Sequence, residues 1–314
     1  MEILLQVIIL AAGFACLIKG SDWFVDGSSS IAAKFGISQL VIGLTIVAMG
    51  TSSPEAAVSI TAALEGNADI TVGNILGSNI LNMFIILGLS AAIVPIAIAP
   101  STIKYETPFM VAVTIIMILL GLDGSLGIID SFIFIALFVV YLVYLFKMAK
   151  KDGTAETNKE EEEKAKKEIS VPKSLIFAVV GLGLIILGSN LTVDAATKIA
   201  QAIGISERFI GLTVVALGTS LPELFTSVSA ARKGNADIAI GNVVGSNLFN
   251  ILFVIGLSSL ITPVPFASNF IFDGIVSIVA GILLYIFCAN DKILKRWEGA
   301  VLLVCYAAYF VMIL

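Results

Sequence analysis

Two glutamates sit in long apolar runs, each in the same setting. The first reads Gly50-Thr51-Ser52-Ser53-Pro54-Glu55 and the second Gly218-Thr219-Ser220-Leu221-Pro222-Glu223. A carboxylate placed in the hydrocarbon of a bilayer costs roughly 2.5–3.5 kcal/mol on insertion scales, so it marks a functional site. No lysine or arginine lies in the same apolar runs to neutralise either one. The chemistry that fits two unpaired carboxylates there is the binding of a cation.

Proline adds oxygens. Pro54 has no amide hydrogen for the carbonyl of Gly50, and Pro222 leaves the carbonyl of Gly218 in the same position. Ala48, Thr51, Ser52 and Glu55 recur at helical spacing and share one helix face. The next apolar run offers a second face, with Ser78 and Asn82 four residues apart and Asn74 one turn earlier. Its copies are Ser246, Asn250 and Asn242. Asn79 and Asn247 point off that face and are left out of the candidate set. Gly73/Gly77 and Gly241/Gly245 read as small-residue packing contacts. Asp69 and Asp237 read as helix-start carboxylates.

Every candidate ligand is oxygen. The chain has no histidine, and its three cysteines (Cys16, Cys288, Cys305) have neither metal nor disulfide spacing. Soft metals are therefore disfavoured, and hard cations such as Ca²⁺ and Na⁺ fit. Two glutamates carry a charge that one Ca²⁺ neutralises, and several Na⁺ can compete for the same oxygens. That competition is the chemistry of an antiporter. No organic cofactor is called for.

The elements that must carry these residues follow from composition. Of 314 residues, 58% are hydrophobic and 13% charged, and the mean hydropathy is +1.05. Soluble domains carry about 25% charged residues. An ordinary soluble enzyme is excluded, and so is a nucleic-acid binder, because 18 basic residues face 23 acidic ones. The class is an all-α polytopic membrane protein in a lipid bilayer. Ten spans are expected, near 3–18, 39–64, 69–93, 107–121, 129–147, 174–192, 208–231, 237–260, 270–288 and 297–314. The first run starts at Ile3 with no basic residue before it, so it reads as a span rather than a cleaved leader. The segment 149–173, with four consecutive glutamates from Glu160, reads as a solvated linker. With both termini outside, 16 of the 18 basic residues fall on the cytoplasmic side, including those of this linker. Only Lys198 and Arg208 fall outside.

The spans are duplicated. Residues 43–95 and 211–263 align without a gap at an offset of 168, with 29 of 53 positions identical. Gly20-Ser21 and Gly188-Ser189 extend the match. Five spans separate equivalent points, so the copies enter the membrane from opposite sides. The expected organisation is a five-helix repeat over 1–148, the linker 149–173, and an inverted five-helix repeat over 174–314. Inverted repeats with broken helices at the midplane are a transporter signature.

The paired GTSxPE helices, each followed by GNxxGSNxxN, resemble the α-repeats of the calcium/cation antiporter superfamily, most closely those of prokaryotic sodium/calcium exchangers. The resemblance implies ten helices and a central diamond of ion sites among the second, third, seventh and eighth. It implies calcium ligands at Glu55, Glu223 and the carbonyls of Ala48, Ala216, Thr51 and Thr219, and sodium ligands at Ser52, Ser78, Ser220 and Ser246. The first and sixth helices would form a sliding pair. Some relatives carry an aspartate where this chain has Asn250, which makes it symmetrical with Asn82 and argues against potassium co-transport.

The expectation is electrogenic exchange of Na⁺ for Ca²⁺ at the cell membrane. H⁺/Ca²⁺ antiport is the alternative within the class. A cation channel would need no counter-ion, and an intramembrane enzyme lacks a visible nucleophile–base pair.

Overall fold

In lipid each backbone N–H and C=O must find its partner within the segment, which forces apolar runs into helices. The computed structural model describes residues 2–152, 170–204 and 216–313. Along the chain run α1 (Glu2–Phe35), α2 (Gln39–Thr51), α3 (Ser53–Leu64), α4 (Ile70–Ile93), α5 (Thr102–Asp123) and α6 (Ile128–Lys150). They are followed by α7 (Val171–Ala202), α8 (Ala216–Thr219), α9 (Leu221–Arg232), α10 (Ala236–Ile261), α11 (Asn269–Cys288) and α12 (Arg296–Ile313).

Among the described residues, eight helices are long and apolar enough to cross a membrane. A ninth crossing is made by α2 and α3 together, bent by 50° at Ser52. The chain is therefore a multi-pass membrane protein. The span expected at 208–231 begins outside the described residues, as do Arg208 and the start of the second repeat at 211–215. Its described part is α8 and α9. Of the linker, residues 153–169 lie outside the described residues.

Two expected spans are too short. The first, 3–18, is part of a 34-residue helix, and the sixth, 174–192, is part of a 32-residue one. At 1.5 Å per residue each approaches 50 Å, well beyond a hydrocarbon core of about 30 Å. Lys19, Asp22, Asp26 and Lys34 thus lie on α1 rather than in a loop. Asp22 and Asp26 are tolerated there because a distant helix end supplies partners. Lys233 donates to Asp26 Oδ1 and to the carbonyl of Asp22, each at 2.7 Å, and Ser229 donates to Asp22 Oδ1 at 2.7 Å.

The long helices α1 and α7 lie against each other, backbone to backbone. A Cβ on Gly20 would sit 2.8 Å from the carbonyl oxygen of Gly181, and one on Gly188 would sit 2.7 Å from that of Gly13. Only glycine permits this approach.

At the centre are α4 and α10. Every residue of α10 from Ile238 to Phe249 is buried, with Asn242, Ser246 and Asn250 fully or almost fully enclosed. The Gly241/Gly245 stripe carries α2: a Cβ on Gly245 would meet Leu44 Cα and Ala48 Cβ at 2.8 Å. The expected packing role holds there.

Among the described residues, four two-residue strands tie the ends of the helices. The strand β1 (Ile96–Ala97) pairs antiparallel with β4 (Ile293–Leu294), and β2 (Ser125–Leu126) with β3 (Val264–Pro265). Ile96 and Val264 are 168 apart, as are Ser125 and Ile293. The offset of the central motif therefore continues into both strand pairs, and each pair joins one half of the chain to the other.

Candidate functional site

The site begins at two breaks. At Ser52 the helix departs from α geometry (φ −81°, ψ 8°), and Ser220 repeats the departure (φ −87°, ψ 2°). Pro54 and Pro222 follow as the second residues of α3 and α9. The two carbonyls that proline frees are both taken up. Gly50 accepts from Ser53 Oγ and Gly218 from Ser189 Oγ, each at 2.7 Å. Each of these carbonyl oxygens therefore has one lone pair engaged by a hydroxyl within the protein. Glu55 and Glu223 lie one step further, in the first turn of their helices, where the helix dipole favours negative charge.

Both carboxylates are fully buried. Ser52 donates to Glu223 Oε1 at 2.7 Å, while Ser78 donates to Glu55 Oε1 at 3.2 Å and Ser220 Oγ lies 3.5 Å from the same oxygen. Ser78 and Ser220 meet at 3.2 Å. Five expected residues thus fall into two hydrogen-bonded groups, Ser52 with Glu223 and Glu55 with Ser78 and Ser220, each drawing on both repeats. Each glutamate keeps its second oxygen, Oε2, buried and without a donor. The ion pairs among the described residues lie elsewhere, between Lys233 and Asp22 and Asp26 and between Lys295 and Asp291. An acceptor without a donor in a dry interior costs about 1–3 kcal/mol and more for a charge. A cation removes that cost by direct coordination.

The remaining expected residues surround these groups. Thr51 Oγ1 donates to Asn242 Oδ1 at 2.9 Å. Ser246 Oγ lies 3.4 Å from the carbonyl of Ala48. Ala216 and Thr219 bound the short helix α8, which leads into the second break. Asn74 and Asn242 brace the glutamate helices: their amides donate to the carbonyls of Glu55 and Glu223 at 3.4 and 3.3 Å, and to Ser59 and Ser227.

Asn82 and Asn250 each begin a π-helical segment, Asn82–Ile86 and Asn250–Ile255. Such bulges recur at functional positions. The Oδ1 of each is buried without a donor, like the Oε2 of the glutamates. Four unpartnered side-chain oxygens, two per repeat, thus occur among residues that the spacing selected.

Sequence reasoning missed Asn79 and Asn247. They face each other across α4 and α10. Asn79 Nδ2 donates to the carbonyl of Asn247 at 3.2 Å, and Asn247 Nδ2 to that of Asn79 at 3.3 Å. Asn250 Nδ2 donates to Asn79 Oδ1 at 3.1 Å, and Asn82 Nδ2 to Asn247 Oδ1 at 2.9 Å. The duplicated SNxxN was the available signal, since it places an amide on each of two faces.

The profile of a family described as "Sodium/calcium exchanger protein" matches residues 5–147 and 173–314. The chain is 39% identical over 315 residues to "Putative antiporter CaxA" of Alkalimonas amylolytica, covering 98% of each. It is 34% identical over 356 residues to "Sodium/calcium exchanger MaX1" of Methanosarcina acetivorans, covering 99% of each. A solved structure of the sodium-calcium exchanger NCX_Mj, soaked with 2.5 mM Na⁺ and 0.1 mM Ca²⁺, superposes with a TM-score of 0.84 at 37% identity, covering 98% of both chains.

Proposed function

The chain belongs to the sodium/calcium exchanger family of membrane antiporters, and from that premise we propose that it exchanges Na⁺ for Ca²⁺ by alternating access. The observation that carries the reading is the pair of buried carboxylates. Glu55 and Glu223 are fully enclosed, each has an oxygen with no donor, and neither has a basic partner among the described residues. A buried site of this charge needs a cation to be stable, and its all-oxygen surroundings suit hard ions.

Ca²⁺ would sit between the two carboxylates with the carbonyls of Ala48, Ala216, Thr51 and Thr219 around it. Na⁺ would take the oxygens of Ser52, Ser78, Ser220 and Ser246, and the amide oxygens of Asn82 and Asn250 would complete the set. Shared oxygens make occupancy by one kind of ion exclude the other, which is what coupling requires. The frame for alternation is ten helices in two inverted five-helix repeats, with both termini outside and the segment 149–173 in the cytoplasm. The offset of 168 that continues into the strand pairs supports it.

The test is ⁴⁵Ca²⁺ uptake into proteoliposomes loaded with Na⁺, with K⁺, or with a pH gradient. Uptake driven by an outward Na⁺ gradient is the expected result. Uptake driven by the pH gradient alone would replace Na⁺ with H⁺, and uptake without any counter-ion would make the protein a channel.

A further inference from the structure

We propose that Asn79 and Asn247 are positioning residues that turn the amides of Asn82 and Asn250 so that only oxygen is left for an ion. The inference rests on the reading that those two amide oxygens are ion ligands. Hydrogen bonding alone determines the orientation. A backbone carbonyl can only accept, so the amide nitrogen of Asn79 must face the carbonyl of Asn247, and that of Asn247 the carbonyl of Asn79. Their own oxygens are then turned the other way, and each can be met only by a donor. Asn250 Nδ2 meets Asn79 Oδ1, and Asn82 Nδ2 meets Asn247 Oδ1. With its nitrogen engaged, each outer amide has one free end, and Oδ1 of both Asn82 and Asn250 is buried without a donor.

A free asparagine presents a donor or an acceptor with equal ease. A cation site accepts only the second, and an NH₂ group turned inward would repel the ion. The clamp removes that alternative before any ion arrives. It is also crossed: Asn79 on α4 holds Asn250 on α10, and Asn247 on α10 holds Asn82 on α4. Each outer amide is therefore oriented by the other repeat, although Asn79 and Asn82 are near neighbours on one helix.

The crossing makes the inference testable by double-mutant cycles in reconstituted protein. Leucine is the substitution of choice, because it keeps much of the volume of asparagine while removing both bonds. The measured quantities are the KM for Ca²⁺ and for Na⁺ in exchange, together with the thermal midpoint in detergent. Asn79→Leu is expected to raise the KM of at least one ion by about fivefold, the scale of one lost hydrogen-bonded ligand. In the Asn250→Leu background it should add nothing further. Asn79→Leu and Asn82→Leu should be additive, and Asn247 should behave conversely, coupled to Asn82 and independent of Asn250. Additivity within the crossed pairs would overturn the clamp. A lower thermal midpoint with unchanged KM would do the same, since it would show a purely structural role. Unchanged KM in both Asn82→Leu and Asn250→Leu would instead remove the ligand reading beneath it.

Discussion

Ser52 and Glu223 are 171 positions apart in the chain, yet the hydroxyl of one lies 2.7 Å from the carboxylate of the other. The contact crosses the two halves, because Ser52 stands at the break of the first repeat and Glu223 just past the break of the second. The matching contact, Ser220 to Glu55, measures 3.5 Å, and Ser78 takes the nearer place at 3.2 Å. Two nearly identical motifs are thus engaged unequally.

That inequality gives the first expectation. A hydrogen bond to a carboxylate contributes about 1.5–3 kcal/mol, so Ser52→Ala should raise ion KM by about tenfold or more. Ser220→Ala, which removes the longer contact, should raise it less. Initial rates of ⁴⁵Ca²⁺ uptake against Na⁺ and Ca²⁺ concentration measure both. Equal effects would mean that the 2.7 and 3.5 Å contacts are interchangeable during transport.

Glu55→Gln and Glu223→Gln should each reduce calcium exchange at least about a hundredfold while the protein still extracts as a folded species. Each change removes a preferred Ca²⁺ ligand and half of the charge that offsets the ion. Near wild-type uptake by either variant would show that the ion does not bind between these carboxylates.

If three Na⁺ move against one Ca²⁺, one net charge crosses per cycle. A potential of 100 mV then contributes about 2.3 kcal/mol, close to fiftyfold in the calcium ratio reached at steady state. Potassium with valinomycin imposes the potential. A steady-state ratio indifferent to voltage would require an electroneutral cycle.

The contact between α1 and α7 can be probed by a single methyl group. On Gly181 it would lie 2.5 Å from the backbone nitrogen of Phe24, where nothing flexible can yield, whereas Gly183 has no neighbour within 4 Å. Gly181→Ala should cost about 1–3 kcal/mol through overpacking, and Gly183→Ala should be neutral or slightly stabilising. Thermal unfolding in detergent compares the two. Equal midpoints would mean that the helices do not approach as closely as their glycines permit.

Much of the central site was legible in the sequence because its signals are local. Glutamate in an apolar run, proline one residue before it and a gapless repeat all show without any knowledge of contacts. Two kinds of feature were not legible. The length of α1 was hidden by Asp22 and Asp26, which read as loop residues until Lys233, more than 200 positions away, supplies their partner. Asn79 and Asn247 were set aside because they lie off the face of Ser78 and Asn82. A helix with one working face leaves such residues idle, but α4 and α10 lie at the centre and each addresses the other as well as the glutamate helices. The carbonyls of Gly50 and Gly218 illustrate the same limit. Proline predicts that they are freed, but not that Ser53 and Ser189 occupy them.

Lys233 has a further consequence, for the resting balance of the molecule. A machine assembled from two equal copies would favour neither side of the membrane. Counting by 168, Lys233 corresponds to Glu65 and Ser229 to Thr61, while Asp22 and Asp26 correspond to Asn190 and Asp194. Lys233 therefore stands between two acids, whereas the equivalent positions include Glu65 and Asp194 with no lysine among them. Partly exposed pairs of this kind contribute up to about 1 kcal/mol each, enough to tilt a two-state equilibrium about fivefold. The tilt originates well away from the ion site, so it can be removed without touching selectivity. Lys233→Gln should change the ratio of Ca²⁺ KM measured from the two faces of the membrane and leave the preference for Ca²⁺ over other ions intact. Raising ionic strength on the wild type should move the ratio in the same direction. An unchanged ratio would place the origin of any sidedness elsewhere.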